Sequence, residues 1–198
     1  MNTEEQFTEK RIRDLSDQSY RTNQYTFTGF LTPAQQDIYY RLSHQPEMMQ
    51  GTLFGGTADC ERQVLRFGSP EEFGYEEDFP ICCIRVTPVL AKFADKLTHR
   101  DYLGALMHLG IVRDTIGDIV VKEDAVYFFC LEKMADFIVE NLSKVKHTQI
   151  RCQKMEEVPD CVRPDLKPVS LIVSSLRIDG VIAKLYHLSR SQSLNLFR

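Results

Sequence analysis

An α+β chain is predicted by three observations. Residues 81–155 alternate β-branched runs with two helical runs in the order β-α-β-β-α-β. Residues before them mix helical spacing with short strands closed by glycine turns. Residues 169–198 add two more helix starts. The 198 residues suffice for one or two small domains with real cores. Hydrophobic content of 43% and charged content of 26% are ordinary for a globular chain.

Taken in order, Glu4 to Tyr20 reads as a surface helix with Phe7, Ile12, Leu15 and Tyr20 on its apolar side. Arg21 to Gly29 reads as a polar and aromatic connection. Thr32 caps a second helix and Pro33 stands at its first position, with Ile38, Tyr39 and Leu42 at helical spacing. His44-Gln45-Pro46 ends it, because a residue before proline is pushed away from helix. Gly51 to Gly56 is a short strand closing in a glycine turn, Thr57 to Gln63 a brief helix, and Val64 to Phe67 a strand. Gly68 to Asp78 is a loop of turn residues and acids. A domain boundary is placed at Pro80, giving an N-terminal α+β part over residues 1–80.

Ile81 to Val86 is a strand ended by Thr87-Pro88. Ala91, Phe93, Ala94 and Leu97 suit one turn of helix or an irregular segment. Thr98 to Leu109 is a helix, Ile116 to Lys122 a strand, Glu123-Asp124 a tight turn and Ala125 to Cys130 the returning strand. Leu131 to Leu142 is a helix with Met134, Phe137, Ile138 and Leu142 on one side, and Thr148 to Lys154 a last strand. This order is the split βαβ arrangement of ferredoxin-like and RRM-like domains, so residues 81–155 are read as an RRM-like domain. Glu156 to Pro168 is a proline-rich polar linker. Val169 to Val173 is extended, Leu176 to Tyr186 an amphipathic helix, and Ser189 opens a second helix.

Composition excludes several function classes. No apolar run approaches the roughly 18 residues of a membrane helix, and the polar start MNTEEQFTEKR is not a secretory signal. Six cysteines form no CxxC pair and mostly sit in apolar, strand-like runs. They read as reduced thiols of a cytoplasmic protein rather than a disulfide frame or zinc site. No metal and no small-molecule cofactor is expected. Gly55-Gly56 lacks the spacing of a phosphate or dinucleotide loop and reads as a structural turn. His99-Arg100-Asp101 spells the kinase catalytic triplet, but no glycine-rich loop, strand lysine or DFG accompanies it.

Charge is unevenly spread behind the net −4. Residues 1–80 carry 7 Lys and Arg against 14 Asp and Glu, residues 81–168 carry 13 against 13, and residues 169–198 carry 4 against 1. A basic end suggests contact with a polyanion there, though it also suits a solvated face. Arg177 and Arg190 stand near the starts of two successive helices, with Lys184 between them and Ser189 and Ser191 beside the second. Packed together, the two helix starts would cradle phosphate; the plainer alternative is a helical hairpin with surface arginines.

Leu97 to Val121 holds a second cationic group. Thr98 and Asp101 form a capping box that starts a helix. His99 and Arg100 then lie in the first turn, near backbone amides and the positive end of the dipole, where phosphate can bind. Arg113 follows in the same stretch. In the alternative reading Asp101 occupies those amides and His99 merely packs. On the third strand of the RRM-like domain, Tyr127 and Phe129 point to one face and Phe128 and Cys130 to the other. RRM domains stack bases on such aromatics. Both faces here are apolar and the RNP basic residue and glycine are absent, so the N-terminal half is expected to cover this face.

SLRIDGVIA followed by LSRSQS resembles the opening of an S-four RNA-binding domain, the type found in ribosomal small-subunit protein four. FLTPAQQ (30–36), GGTADCERQ (55–63) and LTHRDYLGALMHLGIVRDTIGDIVV (97–121) together resemble the YlmH family of bacterial and plastid RNA-binding proteins. The resemblance runs from Phe30 to Arg198. It implies an N-terminal α+β part, an RRM-like middle and an S-four domain, here incomplete because such a domain continues past its second helix into strands. It implies RNA binding on the ribosome, with rRNA and tRNA as partners, handling of obstructed large subunits carrying peptidyl-tRNA, and a genetic link to cell division. Arg177 and Arg190 stand where S-four domains contact RNA phosphate, flanked by Ser189 and Ser191. A non-enzymatic RNA-binding role is expected, without membrane association. S-four domains also precede pseudouridine synthase domains, but nothing follows here, so an RNA-modifying enzyme is the second reading. A protein-interaction module carried by the acidic residues 1–80 is the third.

Overall fold

Ile81–Pro88 (β4) is hydrogen-bonded on both sides, and the rest of residues 3–163 is layered around it. The structure is a computed structural model and describes residues 3–90, 92, 94–163 and 168–197. The elements before β4 are α1 (Thr3–Thr22), β1 (Thr26–Leu31), α2 (Pro33–Leu42), β2 (Gly51–Phe54), β3 (Gln63–Phe67) and α3 (Pro70–Phe73). After it come α4 (His99–His108), a 3-10 turn at Arg113–Thr115, β5 (Ile116–Val121), β6 (Val126–Leu131), α5 (Glu132–Asn141), β7 (Lys144–Val145), β8 (Thr148–Met155) and a 3-10 turn at Asp160–Val162. Residues 164–198 form a second compact unit, whose helices are α6 (Ile178–Leu185) and α7 (Arg190–Asn195).

The chain is α+β. Its large sheet runs β5-β6-β4-β8-β7 with every pairing antiparallel. Leaving out the two-residue β7, that is the strand order of a ferredoxin-like split βαβ unit. A second sheet, β1-β3-β2, is also antiparallel. The period of two along each strand sets the layers. On the large sheet, Ile84, Val86, Phe128 and Cys130 face α4 and α5 and pack with Leu106, Ala135 and Ile138. Cys83, Tyr127 and Phe129 point the other way and pack with Phe30, Val64 and Cys60. The opposite face of the small sheet, with Leu31, Leu65 and Phe67, packs on Ile12 and Leu15 of α1 and Ile38 and Tyr39 of α2. The third strand is thus apolar on both faces because both are covered. Phe129 is fully buried, so it is a core residue and not a stacking platform.

Close approach between the two sheets requires glycine at two places. Gly56 has φ +107°, and a Cβ there would lie 2.3 Å from the Phe129 ring. A Cβ on Gly117 would come within 2.6 Å of Phe30.

Local chemistry fixes most helix ends as expected. Thr32 and Gln35 form a capping box at α2, as Ser189 and Gln192 do at α7. Several expectations are corrected. Phe7 and Tyr20 are exposed; α1 buries the expected Ile12 and Leu15 together with Thr8, Ser16 and Ser19. Its hydroxyls are satisfied there: Ser19 donates to the Gln24 carbonyl at 2.7 Å and Ser16 accepts from the Met49 amide at 3.0 Å. The expected connection at 21–29 contains most of β1, whose Thr26 and Thr28 are buried and bonded to the Leu15 carbonyl and Leu65 amide. Residues 57–62 are not a helix, because the amides of Glu61 and Arg62 bond to the Asp118 side chain instead of to preceding carbonyls. The loop after Gly68 holds the short α3, capped by Ser69 and ended at Gly74. Phe137 of α5 is exposed, and Ala135 is buried beside the expected Ile138. Val169 to Val173 joins no strand.

In residues 168–197, Val181 and Ile182 of α6 are half-buried, Ile178 and Tyr186 are exposed, and the buried positions are Asp179 and Ser193. Two short helices bury too little to build an apolar core. The expectations for Ala91 and Phe93, for 164–167 of the linker and for Arg198 lie outside the described residues.

Candidate nucleic-acid interface

The two arginines of the C-terminal unit meet on one carboxylate. Arg177 occupies the N-cap position of α6, and Asp179 follows in its first turn. Arg177 Nε donates to Asp179 Oδ1 at 3.0 Å and Nη2 to Oδ2 at 3.4 Å. Arg190, the first residue of α7, donates from Nε to the same Oδ2 at 3.4 Å. Ser193 donates to the Asp179 carbonyl at 2.6 Å, which ties α7 back to α6. Asp179 is 4% exposed, whereas the Arg177 and Arg190 side chains are 64% and 69% exposed.

This geometry has an electrostatic consequence. The hydrogen bonds from Arg177, and then Arg190, hold the Asp179 carboxyl below its usual range against the opposing effect of burial. Two guanidinium groups share one buried negative charge, leaving a net positive charge on the outer surface. Guanidinium forks fixed on one side are pre-organised to receive phosphate oxygens on the other. Ser189 caps α7 by accepting from the Gln192 amide at 3.2 Å, and its hydroxyl lies 3.1 Å from that of Ser191. Ser189, Ser191 and Lys184 are exposed. Asp179 was absent from the sequence-derived set, and its signal was its standing as the lone acid in a basic segment.

In the first unit, the group read from Leu97 to Val121 is divided. His99 and Arg100 are exposed in the first turn of α4, while Arg113 follows that helix's other end. The ten residues of α4 span about 15 Å. The helix start is already occupied: the Asp101 carboxylate accepts from the Thr98 amide and hydroxyl, each at 2.8 Å, and pairs with Lys146 at 2.8 Å. Lys146 first, then Thr98, hold the Asp101 carboxyl down at about 2. Arg113 is half-buried and donates to the Ile116 carbonyl. Burial lowers the Arg113 pKa, and the side chain also lines a cleft beside α1 and β1. Among the described residues, no three His, Cys, Asp or Glu side chains could hold a metal ion, and no helix is long and apolar enough to cross a membrane.

Comparison with known proteins adds to this geometry. Residues 75–158 match the family described as "Putative RNA-binding domain in YlmH". The chain is 32% identical over 177 residues to the "Ribosome-associated protein quality control protein P2" of Bacillus subtilis (strain 168), covering 86% of this chain and 66% of that protein. It therefore spans 66% of the length of this curated relative. The solved "Cell division protein ylmH from Streptococcus pneumoniae" superposes with a TM-score of 0.64 at 14% identity, over 78% of this chain and 93% of that one. At that identity the likeness concerns the fold. Fold and matched segment together define an α+β protein built around a YlmH-type domain. Residues 75–158 match the YlmH domain family, and the chain is similar to the Bacillus protein over 177 residues.

Proposed function

We propose that this chain is a non-enzymatic RNA-binding protein of the ribosome that contacts rRNA and tRNA on obstructed large subunits. The observation that carries this reading is the fixing of Arg177 and Arg190 on the buried Asp179, with both guanidinium groups open to solvent. The family match and the ribosome-associated name of the Bacillus relative support it. In this reading residues 169–198 are the opening of an S-four-type module, and 81–155 are the RRM-like domain beside the N-terminal part at 1–80; of the expected linker at 156–168, Val158 and Val162 instead pack into the core of the first unit. Lys184, Ser189 and Ser191 add contacts around the arginine pair. His99, Arg100 and Arg113 supply secondary contacts. The protein works in the cytoplasm.

Filter binding of an rRNA fragment and of tRNA tests the reading. Affinity should fall steeply with salt, because phosphate contacts release counterions. Arg177→Ala and Arg190→Ala should each weaken binding about tenfold. Salt-independent binding, or full affinity in both variants, would overturn it. Co-sedimentation tests the finer claim: large subunits carrying peptidyl-tRNA should retain the protein better than empty ones. Equal retention would remove that claim and leave the RNA reading standing.

A further inference from the structure

One cleft of the first unit is not absorbed by the arginine pair. It lies between α1, β1 and the turn at Arg113–Thr115, and encloses about 630 Å³. That is within the range of about 300–1,000 Å³ typical of ligand sites. Its walls combine two features. Phe7 and Val112 line it while remaining 73% and 65% exposed, and the half-buried Phe27 of β1 lines it as well. Arg11, Lys133 and Arg113 bring cations from three separate elements.

The helix explains why an aromatic ring and a charge sit together. The buried stripe of α1 runs through Thr8, Ile12, Leu15 and Ser19, which leaves Phe7 beside that stripe instead of in it. Arg11 is one turn further on, at i+4, which makes it a neighbour of Phe7 on the helix surface, and both line the cleft. An exposed ring next to exposed cations is the chemistry of single-stranded nucleic-acid sites, where a base stacks on the ring and the backbone phosphate meets the charge. Two acids, Glu4 and Asp114, also line the cleft, against Arg11, Arg62, Arg113 and Lys133. Arg62 is committed to main-chain carbonyls, so Arg11 and Lys133 are the cations suited to phosphate.

We propose that this cleft binds one unpaired nucleotide of RNA, its base against Phe7 and its phosphate on Arg11 and Lys133. The inference rests on the RNA-binding reading given above and adds a second contact, in a different unit of the chain. It makes the N-terminal part a reader of unpaired RNA, whereas the arginine pair meets backbone phosphate.

The chain contains no tryptophan, so Phe7→Trp creates a single fluorescent reporter on an exposed position that tolerates the change. The full chain carrying Phe7→Trp is titrated with a single-stranded oligoadenylate, with adenosine monophosphate and with heparin. The expected result is strong quenching by oligoadenylate, weaker quenching by the mononucleotide and none by heparin, which has charge but no bases. Adding Arg11→Glu and Lys133→Glu should weaken the quenching midpoint about tenfold or more. Mononucleotide quenching as tight as that of the oligomer would overturn the assignment to RNA in favour of a free nucleotide. Filter binding runs in parallel, with Phe7→Ala as a second variant. RNA retained on the filter without quenching, and unaffected by Phe7→Ala, would overturn the cleft and leave the RNA-binding reading intact. No retention by any variant would overturn both.

Discussion

Asp118 Oδ1 accepts the main-chain N–H of Arg62 at 3.1 Å, and its Oδ2 accepts that of Glu61 at 2.6 Å. The Arg62 side chain crosses the same joint in return, from Nε to the Ile116 carbonyl at 3.1 Å and from Nη2 to the Phe30 carbonyl at 2.8 Å. Each loop thus supplies the partners the other lacks. Burial first, then the nearby Arg113, lowers the Arg62 pKa to about 10, so it is charged at neutral pH. Arg62→Ala would leave the carbonyl of the buried Phe30 without its side-chain donor, while the Ile116 carbonyl keeps its bond from Arg113; losing that donor costs about 1–3 kcal/mol. Arg62→Lys should recover little, because one ammonium cannot span both carbonyls as a planar fork does. Urea unfolding measures this. A midpoint for Arg62→Ala equal to that of the parent chain would show that the joint contributes nothing.

The start of α4 makes stability depend on acid. Asp101 is held at about 2 by Lys146 and Thr98, against about 3.9 in an unfolded chain. A depressed carboxyl stabilises the fold above its unfolded pKa, and that contribution is lost as pH falls through the folded one. The window here runs from about pH 4 down to about pH 2. Asp101→Asn should therefore lower the thermal midpoint at pH 6 and make no difference near pH 2. Lys146→Met should reproduce much of that pattern. A constant difference between Asp101→Asn and the parent chain across this range would show that the pair with Lys146 does not set the effect.

What was legible in the sequence was local or doubly constrained. Thr98 and Asp101 lie three residues apart, so that capping box could be read directly, and Thr32 and Ser189 were legible as caps. The strand around Phe128 and Phe129 is apolar on both faces, which required a cover on both sides before any fold was seen. Features that depend on distant partners were not legible. Thr26 and Thr28 look like loop residues until their hydroxyls find the Leu15 carbonyl and the Leu65 amide. The inward face of α1 is partly serine because those hydroxyls meet Gln24 and Met49. The same holds at the site. Arg177 and Arg190 could be named, but the role of Asp179 depends on an arginine eleven residues away. The Phe7 cleft could not be read because its walls come from α1, β1 and the turn after α4.

Cysteine chemistry gives the last test, because Cys82 and Cys130 face each other across β4 and β6. Both side chains lie on the face covered by the helices. The Cys130 thiol, as hydrogen-bond donor, lowers the Cys82 thiol to about 7; Lys154 assists and burial opposes. The same contact with Cys82, and then burial, push Cys130 up. Burial pushes Cys83 and Cys152 up to about 12. Only a thiolate is alkylated efficiently. In the folded chain at pH 7.5, iodoacetamide should therefore label Cys82 and the exposed Cys161, and reach Cys83, Cys130 and Cys152 only after unfolding. The rate at Cys82 should rise as pH passes through about 7 and then level off. Cys130→Ala removes the donor, so the rise should move to higher pH and labelling at pH 7 should slow several-fold. Cys130→Ser keeps a donor and should retain the parent profile. Peptide mass mapping of labelled chains reads all three. If Cys82 reacts only in the unfolded chain, or if its midpoint ignores Cys130→Ala, the cross-strand thiol contact is not what activates it.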